Sequence, residues 1–187
     1  MRICTLVSGL IALGVALPAA AQEPPPLEVS GGYSLLRVSR GLGVDLADTE
    51  QTLHGWYAEA AATQTALLSL VGQGTGNYGT FRGVNVKVHE FAAGARLNRR
   101  MGGQVIFGQA LVGVAHYRPH GTERATNATF HAGGGVRLGR ADTIGVLVGA
   151  DYESIFTGGS HLLEPEGGER THGFRVTAGA AFPIGGR

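Results

Sequence analysis

Eight charged residues stand apart in this chain because each is set among small or apolar neighbours. They are Glu28, Glu59, Glu90, Asp151 and Glu153 on the acidic side and Arg96, Arg137 and Arg175 on the basic side. A carboxylate and a guanidinium form short, charge-assisted, two-pronged hydrogen bonds. Groups of this kind withdrawn from water must be paired to be tolerated. The first chemistry the residues suggest is therefore a buried ion-pair network. Nucleophilic catalysis is the second. Its candidates are Ser154 beside Glu153, and Ser160 beside His161. Adjacent residues on a strand point to opposite faces, so Glu153 and Ser154 are poorly placed to cooperate. Ser160-His161 sits in a glycine-rich stretch, whereas catalysis needs a rigidly positioned constellation.

Other motifs carry less. The histidines, His54, His89, His116, His120, His131, His161 and His172, are scattered over the chain and read as structural or rim residues. Gly72-Gln73-Gly74-Thr75-Gly76 and Gly133-Gly134-Gly135 lack the following Lys-Ser/Thr and helix start of a phosphate cradle. No metal, cofactor or catalytic residue is expected.

The charged residues need elements that present them on one face. Period-two alternation supplies them. Strands are expected over 27–38, 54–63, 67–74, 85–98, 104–117, 128–140, 143–157 and 172–184. Over 172–184, Phe174, Val176, Ala178, Ala180 and Phe182 share one face, while Arg175, Thr177, Gly179 and Ala181 share the other. Over 143–157, Ile144, Val146, Val148, Ala150 and Tyr152 oppose Gly145, Gly149, Asp151 and Glu153. The connections sort by length. Those around 63–66, 99–102 and 139–142 are short; those at 39–53, 75–84, 119–127 and 158–171 are longer. Short turns at one end and long loops at the other are the pattern of barrels that cross a membrane. No apolar run after the first twenty or so residues suits a membrane helix.

The beginning of the chain points the same way. Met1-Arg2 is a short basic region, Ile3 to Leu17 is apolar and uncharged, and Pro18 with Ala19-Ala20-Ala21 makes a small-residue cleavage pattern. Residues 1–21 thus read as a cleavable secretory signal. Cys4 lies too near the start to accept a lipid, and it is the one Cys, so no disulfide is expected afterwards. Loss of Arg2 brings the 15 Lys+Arg down to match the 14 Asp+Glu. That balance gives no basic field for nucleic acid. Residues 22–26 form a Pro-rich leader, and 27–187 form one domain. Its glycine content, 32 residues in the chain, suits a tight barrel with little interior space.

In a membrane barrel the apolar face turns out to lipid and the charged face turns in. Tyr33, Trp56, Tyr57, Tyr152, Phe174 and Phe182 near strand ends are expected to form interfacial belts. The chain also resembles the small eight-stranded outer-membrane barrels of the OmpA/OmpX type. The resemblance is carried by Gly55-Trp56-Tyr57-Ala58-Glu59-Ala60, Leu67-Leu68-Ser69-Leu70, Phe91-Ala92-Ala93-Gly94-Ala95-Arg96-Leu97, Gly113-Val114-Ala115-His116, Gly133-Gly134-Gly135-Val136, Asp151-Tyr152 and Phe174-Arg175-Val176-Thr177-Ala178-Gly179, in that order. It departs at Phe182-Pro183-Ile184-Gly185-Gly186-Arg187, which closes on a basic residue where such barrels finish on an aromatic. No peptidoglycan-binding domain is expected after it.

The resemblance implies an all-β, eight-stranded antiparallel up-and-down transmembrane barrel in the cell outer membrane. Its partners would be outer-membrane lipid and an unidentified surface ligand reached through the loops. A monomer with no nucleic-acid partner and no enzymatic activity is expected. A barrel of this size has an interior its own side chains can fill, so a plug rather than a pore is expected. The alternatives are an outer-membrane hydrolase of lipid A, phospholipid or peptide, and a soluble exported barrel holding a small apolar ligand.

Overall fold

The computed structural model describes residues 27–38, 51–81, 84–119, 125–140, 143–157 and 169–185. They form eight strands: β1 (Leu27–Val38), β2 (Gln51–Thr63), β3 (Leu68–Phe81), β4 (Val84–Met101), β5 (Gln104–Pro119), β6 (Ala125–Leu138), β7 (Gly145–Thr157) and β8 (Glu169–Ile184). Each strand pairs antiparallel with the next, and β8 returns to β1, closing the barrel.

The register fixes how the barrel leans. The pairs Leu27↔Ala62, Ala62↔Leu70, Leu70↔Ala95 and Ala95↔Ala110 lead across β1 to β5. Ala110↔Ala132, Ala132↔Tyr152, Tyr152↔Phe174 and Phe174↔Arg37 complete the circuit. The path leaves β1 at Leu27 and re-enters it at Arg37, ten residues along the strand. A stagger of this kind forces the strands to tilt, and small barrels do so by about 35–45°.

Three tight turns and both chain-terminal strand ends lie together at one end. Met101 pairs with Gln104 across Gly102-Gly103, and Gly102 has φ +62°. A two-residue hairpin needs that left-handed backbone, which glycine takes without steric cost. Gly139, with φ +98°, does the same where β6 leaves the sheet. The β2–β3 turn is tied by Thr65, whose Oγ1 accepts from the backbone N–H of Leu68 at 3.0 Å.

Several boundaries differ from the sequence expectation. The stretch 75–84, expected as a long loop, is mostly strand: Thr75 to Phe81 extends β3, paired with β4 from Glu90 to Val84. Glycine density disguised it. Gly76 leaves room for the Trp56 ring, since a Cβ there would lie 2.6 Å from the indole nitrogen. Residues 51–53 likewise extend β2, Arg99–Met101 extend β4, Ala125–Asn127 extend β6 and 169–171 extend β8. Conversely, β6 stops at Leu138 and β7 starts at Gly145. The remaining parts of the long connections, 39–50, 82–83, 120–124 and 158–168, lie outside the described residues, as do residues 1–26 with the signal and leader.

The outside of the wall is apolar. Phe91 is 58% exposed, Leu97 66%, Val112 52% and Phe174 51%. Of the expected belt residues, Tyr33, Trp56, Tyr152, Phe174 and Phe182 are exposed on this outer face. Tyr57 is the exception: it points inward and is buried. Its neighbour Trp56 takes the outward position, and alternation leaves Tyr57 the lumen.

The inside is not uniformly polar, contrary to a simple apolar-out, polar-in reading. Leu36, Val38, Leu53, Val86, Val88, Ala115 and Ile155 pack into a cluster at the loop end of the lumen. Tyr57, Phe107, Leu147 and Ala181 form another cluster, and Ala61, Val71, Ala92 and Leu111 a third. Burial of Leu36, Val88 and Leu111 is complete. An eight-stranded barrel leaves just enough room for such packing.

Candidate functional site

Glu28, Glu59, Glu90, Asp151 and Glu153 occupy inward-facing positions, as do Arg96, Arg137 and Arg175. The register sorts them into three tiers along the barrel axis. Nearest the turn end, the guanidinium of Arg137 donates from Nε to Glu28. Its Nη1 donates to the carbonyls of Gly139 and Arg140, both at 2.8 Å, and its Nη2 donates to the carbonyl of Thr143 at 2.6 Å. Arg137 therefore anchors the β6–β7 turn as well as a carboxylate. A cavity of about 100 Å³ opens beside this pair, lined by Glu28, Thr63, Ser69, Arg96, Asn98 and Arg137 among others.

The middle tier centres on Arg96. Its Nη2 donates to Glu59 Oε2 at 2.6 Å and to Gln109 Oε1 at 2.6 Å. The guanidinium carbon stands 4.1 Å from the centre of the Phe107 ring, a stacked cation–π contact. Gln73 adds a donor to Glu59 at 3.2 Å. Gln109 turns its amide N–H to Asp151 Oδ1 at 3.0 Å. One side-chain amide thus links an arginine on β4 to an aspartate on β7.

The upper tier centres on Arg175, which is wholly buried. Its Nη2 donates to Glu90 and lies 2.6 Å from Glu153 Oε2. Its Nη1 donates to His131 Nδ1 at 3.3 Å. Thr75 donates to Glu90 at 3.2 Å. Glu90, His131 and Glu153 bring one potential ligand atom each within 4.8 Å of one another, the grouping among the described residues that could hold a cation. Arg175 already supplies the positive charge between its two carboxylates, and the arrangement works chemically as an ion-pair node. Above it sits the apolar cluster at the loop end.

Sequence reasoning picked out the charged members and missed the neutral ones. Gln73, Thr75, Gln109 and His131 share the inward parity of the acids, and that shared parity is the signal that could have found them. Ser154 is buried on β7 on the opposite parity from Glu153. Ser160 and His161 lie outside the described residues. His116 and His120 are four apart, a metal-binding spacing on a helix; here His116 lies on β5.

No protein-family model and no curated protein matches the chain. Solved structures match it in shape. Neisserial surface protein A aligns over 84% of this chain and 97% of its own, with a TM-score of 0.67 at 12% identity. The fold is that of the small eight-stranded outer-membrane barrels. Ail, the attachment invasion locus protein of Yersinia pestis, aligns over 85% of this chain and 99% of its own (TM-score 0.49, 18% identity). The N-terminal β-barrel domain of Pseudomonas aeruginosa OprF aligns over 86% and 100% (TM-score 0.49, 14% identity). A small outer-membrane barrel of this kind is all-antiparallel and closed, as the register shows here.

Proposed function

We propose that this protein is a non-enzymatic, monomeric barrel of the bacterial outer membrane, exported by a cleavable signal over residues 1–21. Residues 27–187 are the membrane domain. The charge network of Glu28, Glu59, Glu90, Arg96, Arg137, Asp151, Glu153 and Arg175 plugs it, and the connections at the loop end offer a surface-interaction face. The observation that carries this reading is the segregation of side chains across one closed wall: apolar groups are exposed outside, and the carboxylates of Glu28, Glu59, Glu90, Asp151 and Glu153 are inside. A soluble barrel would reverse it. An up-and-down wall with no free edge is also what a bilayer demands of strands.

The test is membrane fractionation with gels of unboiled and boiled samples, alongside hydrolysis assays on lipid A and phospholipid. The chain should fractionate with the outer membrane, migrate differently before and after boiling, and hydrolyse neither lipid. A mature chain that stays soluble without detergent contradicts the membrane reading. Turnover of either lipid contradicts the non-enzymatic one.

A further inference from the structure

The upper tier of the lumen holds more negative charge than its arginine balances. Glu90 and Glu153 both face the one guanidinium of Arg175. With the middle tier included, the acids Glu59, Glu90, Asp151 and Glu153 stand against Arg96 and Arg175. Four carboxylates against two guanidiniums leave two negative charges over, and all six groups are buried. Charge withdrawn from water needs a counter-charge close by.

The same node has buried polar atoms with nothing to meet. Glu90 Oε1, His131 Nε2 and both carboxylate oxygens of Glu153 make no hydrogen bond among the described residues. Glu90 gives its other oxygen to Arg175 and Thr75. Glu153 Oε2 lies 2.6 Å from Arg175 Nη2 as an ion pair without a hydrogen bond. His131 and Glu153 are register partners on β6 and β7, and Glu90 reaches them from β4. One ligand atom from each of the three lies within 4.8 Å of the others. Ligands spread over three strands leave no spacing pattern in the chain, which is why the sequence suggested no metal.

We propose that Glu90, His131 and Glu153 bind one divalent transition-metal ion of the Zn2+ class. One doubly charged ion cancels the surplus of two. Two carboxylates and an imidazole make a mixed oxygen and nitrogen set, which favours Zn2+ over Mg2+ and Ca2+, ions served by oxygen alone. Zn2+ also accepts three protein ligands with one small fourth ligand, which suits a lumen filled by its own side chains. Bonds of about 2.1 Å at tetrahedral angles set ligand atoms about 3.4 Å apart. The three groups therefore draw in by about 1.4 Å at most. His131 ligates through Nε2, with its ring proton on Nδ1. The contact given up is that of Nδ1 with Arg175 Nη1, at 3.3 Å the longest in the node. The apolar cluster that includes Leu36, Val88 and Ile155 covers the node on the loop side. An ion taken up during folding is thus shielded from chelators. This assignment depends on the lumen alone and not on the membrane reading above.

The experiment uses the whole mature chain without a histidine tag, refolded in detergent in metal-free buffer with Zn2+, Mg2+ or Ca2+ supplied singly. The folded protein is passed through excess EDTA, and its metal is counted by inductively coupled plasma mass spectrometry. The boiled-versus-unboiled gel shift reports folding of each chain. Wild type should retain about one Zn2+ per chain, and Mg2+ or Ca2+ at less than about a tenth of that. Glu153→Gln and His131→Leu should each lower the retained zinc at least about tenfold, since each removes one of three ligands. The combined variant His54→Leu, His89→Leu, His116→Leu, His172→Leu, which alters only outward histidines, should keep it. Zinc-edge X-ray absorption of the wild type should show an oxygen and nitrogen shell with one imidazole, and this spectrum decides the matter if a lumen variant fails to fold. A folded wild type that retains no zinc overturns the proposal and leaves protons to balance the carboxylates. Equal retention of Mg2+ or Ca2+, full zinc in a folded lumen variant, zinc lost from the outward-histidine variant, or a spectrum with two or more imidazoles overturns it too. A chain that holds zinc yet stays soluble without detergent contradicts the membrane reading and supports this one.

Discussion

Arg175 is the residue on which the lumen depends most. Its guanidinium meets Glu90, Glu153 and His131, none of them reached by water. Arg175→Met leaves two carboxylates buried without their cation, and removing one partner of such a set costs about 3–5 kcal/mol. Urea unfolding in detergent or bilayer should show the loss, and Glu90→Gln with Glu153→Gln in the same chain should restore part of it. Asp151 is the contrasting case. The two upper tiers hold Glu59, Glu90, Asp151 and Glu153 against Arg96 and Arg175, and Asp151 is bonded to an amide rather than a guanidinium. Asp151→Asn removes one of the two surplus negative charges and keeps an acceptor for Gln109. It should leave unfolding stability unchanged or raise it, and a loss of several kcal/mol would contradict this assignment. Arg137→Ala should destabilise by about 1–3 kcal/mol, since it strips partners from Glu28 and from three turn carbonyls. Arg137→Lys should not recover the loss, because an ammonium cannot reach all four acceptors with a planar fork.

The strands were legible from alternation because one face is nearly always small or charged. Arg96, Arg137 and Arg175 fall where period two puts them, between outward neighbours such as Ala95-Leu97, Val136-Leu138 and Phe174-Val176. The stretch 75–81 was misread for a physical reason. Glycine marks loops in a soluble protein, but in a tight wall it marks places where a neighbour crowds the backbone. Gly135 is an extreme example. A Cβ there would lie 2.2 Å from the Val148 carbonyl oxygen and 2.6 Å from the Phe107 ring. Gly135→Val should push β6 from β7 and displace the ring that stacks on Arg96. Refolding into lipid vesicles should then fall well below wild type, as read by the unboiled gel shift. Alternation also concealed the apolar lumen clusters. Leu36, Leu147 and Leu111 each follow or precede an outward apolar residue, and a pair such as Leu35-Leu36 does not declare which side is lipid.

At the scale of the whole molecule, the lumen is filled in layers: an ion pair at the turn end, two linked polar tiers, then an apolar cluster under the loops. The sequence could suggest that the charges pair. It could not say which carboxylate meets which guanidinium, because partners such as Glu90 and Arg175 lie on β4 and β8, across the lumen, and are set by closure and stagger. The outside is the simpler half, and it bears the central claim that apolar groups face lipid. Trp56, the single tryptophan of the chain, is a probe already in place on that face. Its fluorescence in vesicles carrying brominated phospholipids tests the claim most directly. Emission should be shifted to the blue relative to unfolded chain, and quenched more by bromines near the headgroup end of the acyl chains than by bromines at the bilayer centre. Emission from a water-exposed indole, untouched by bromine at any depth, would contradict it.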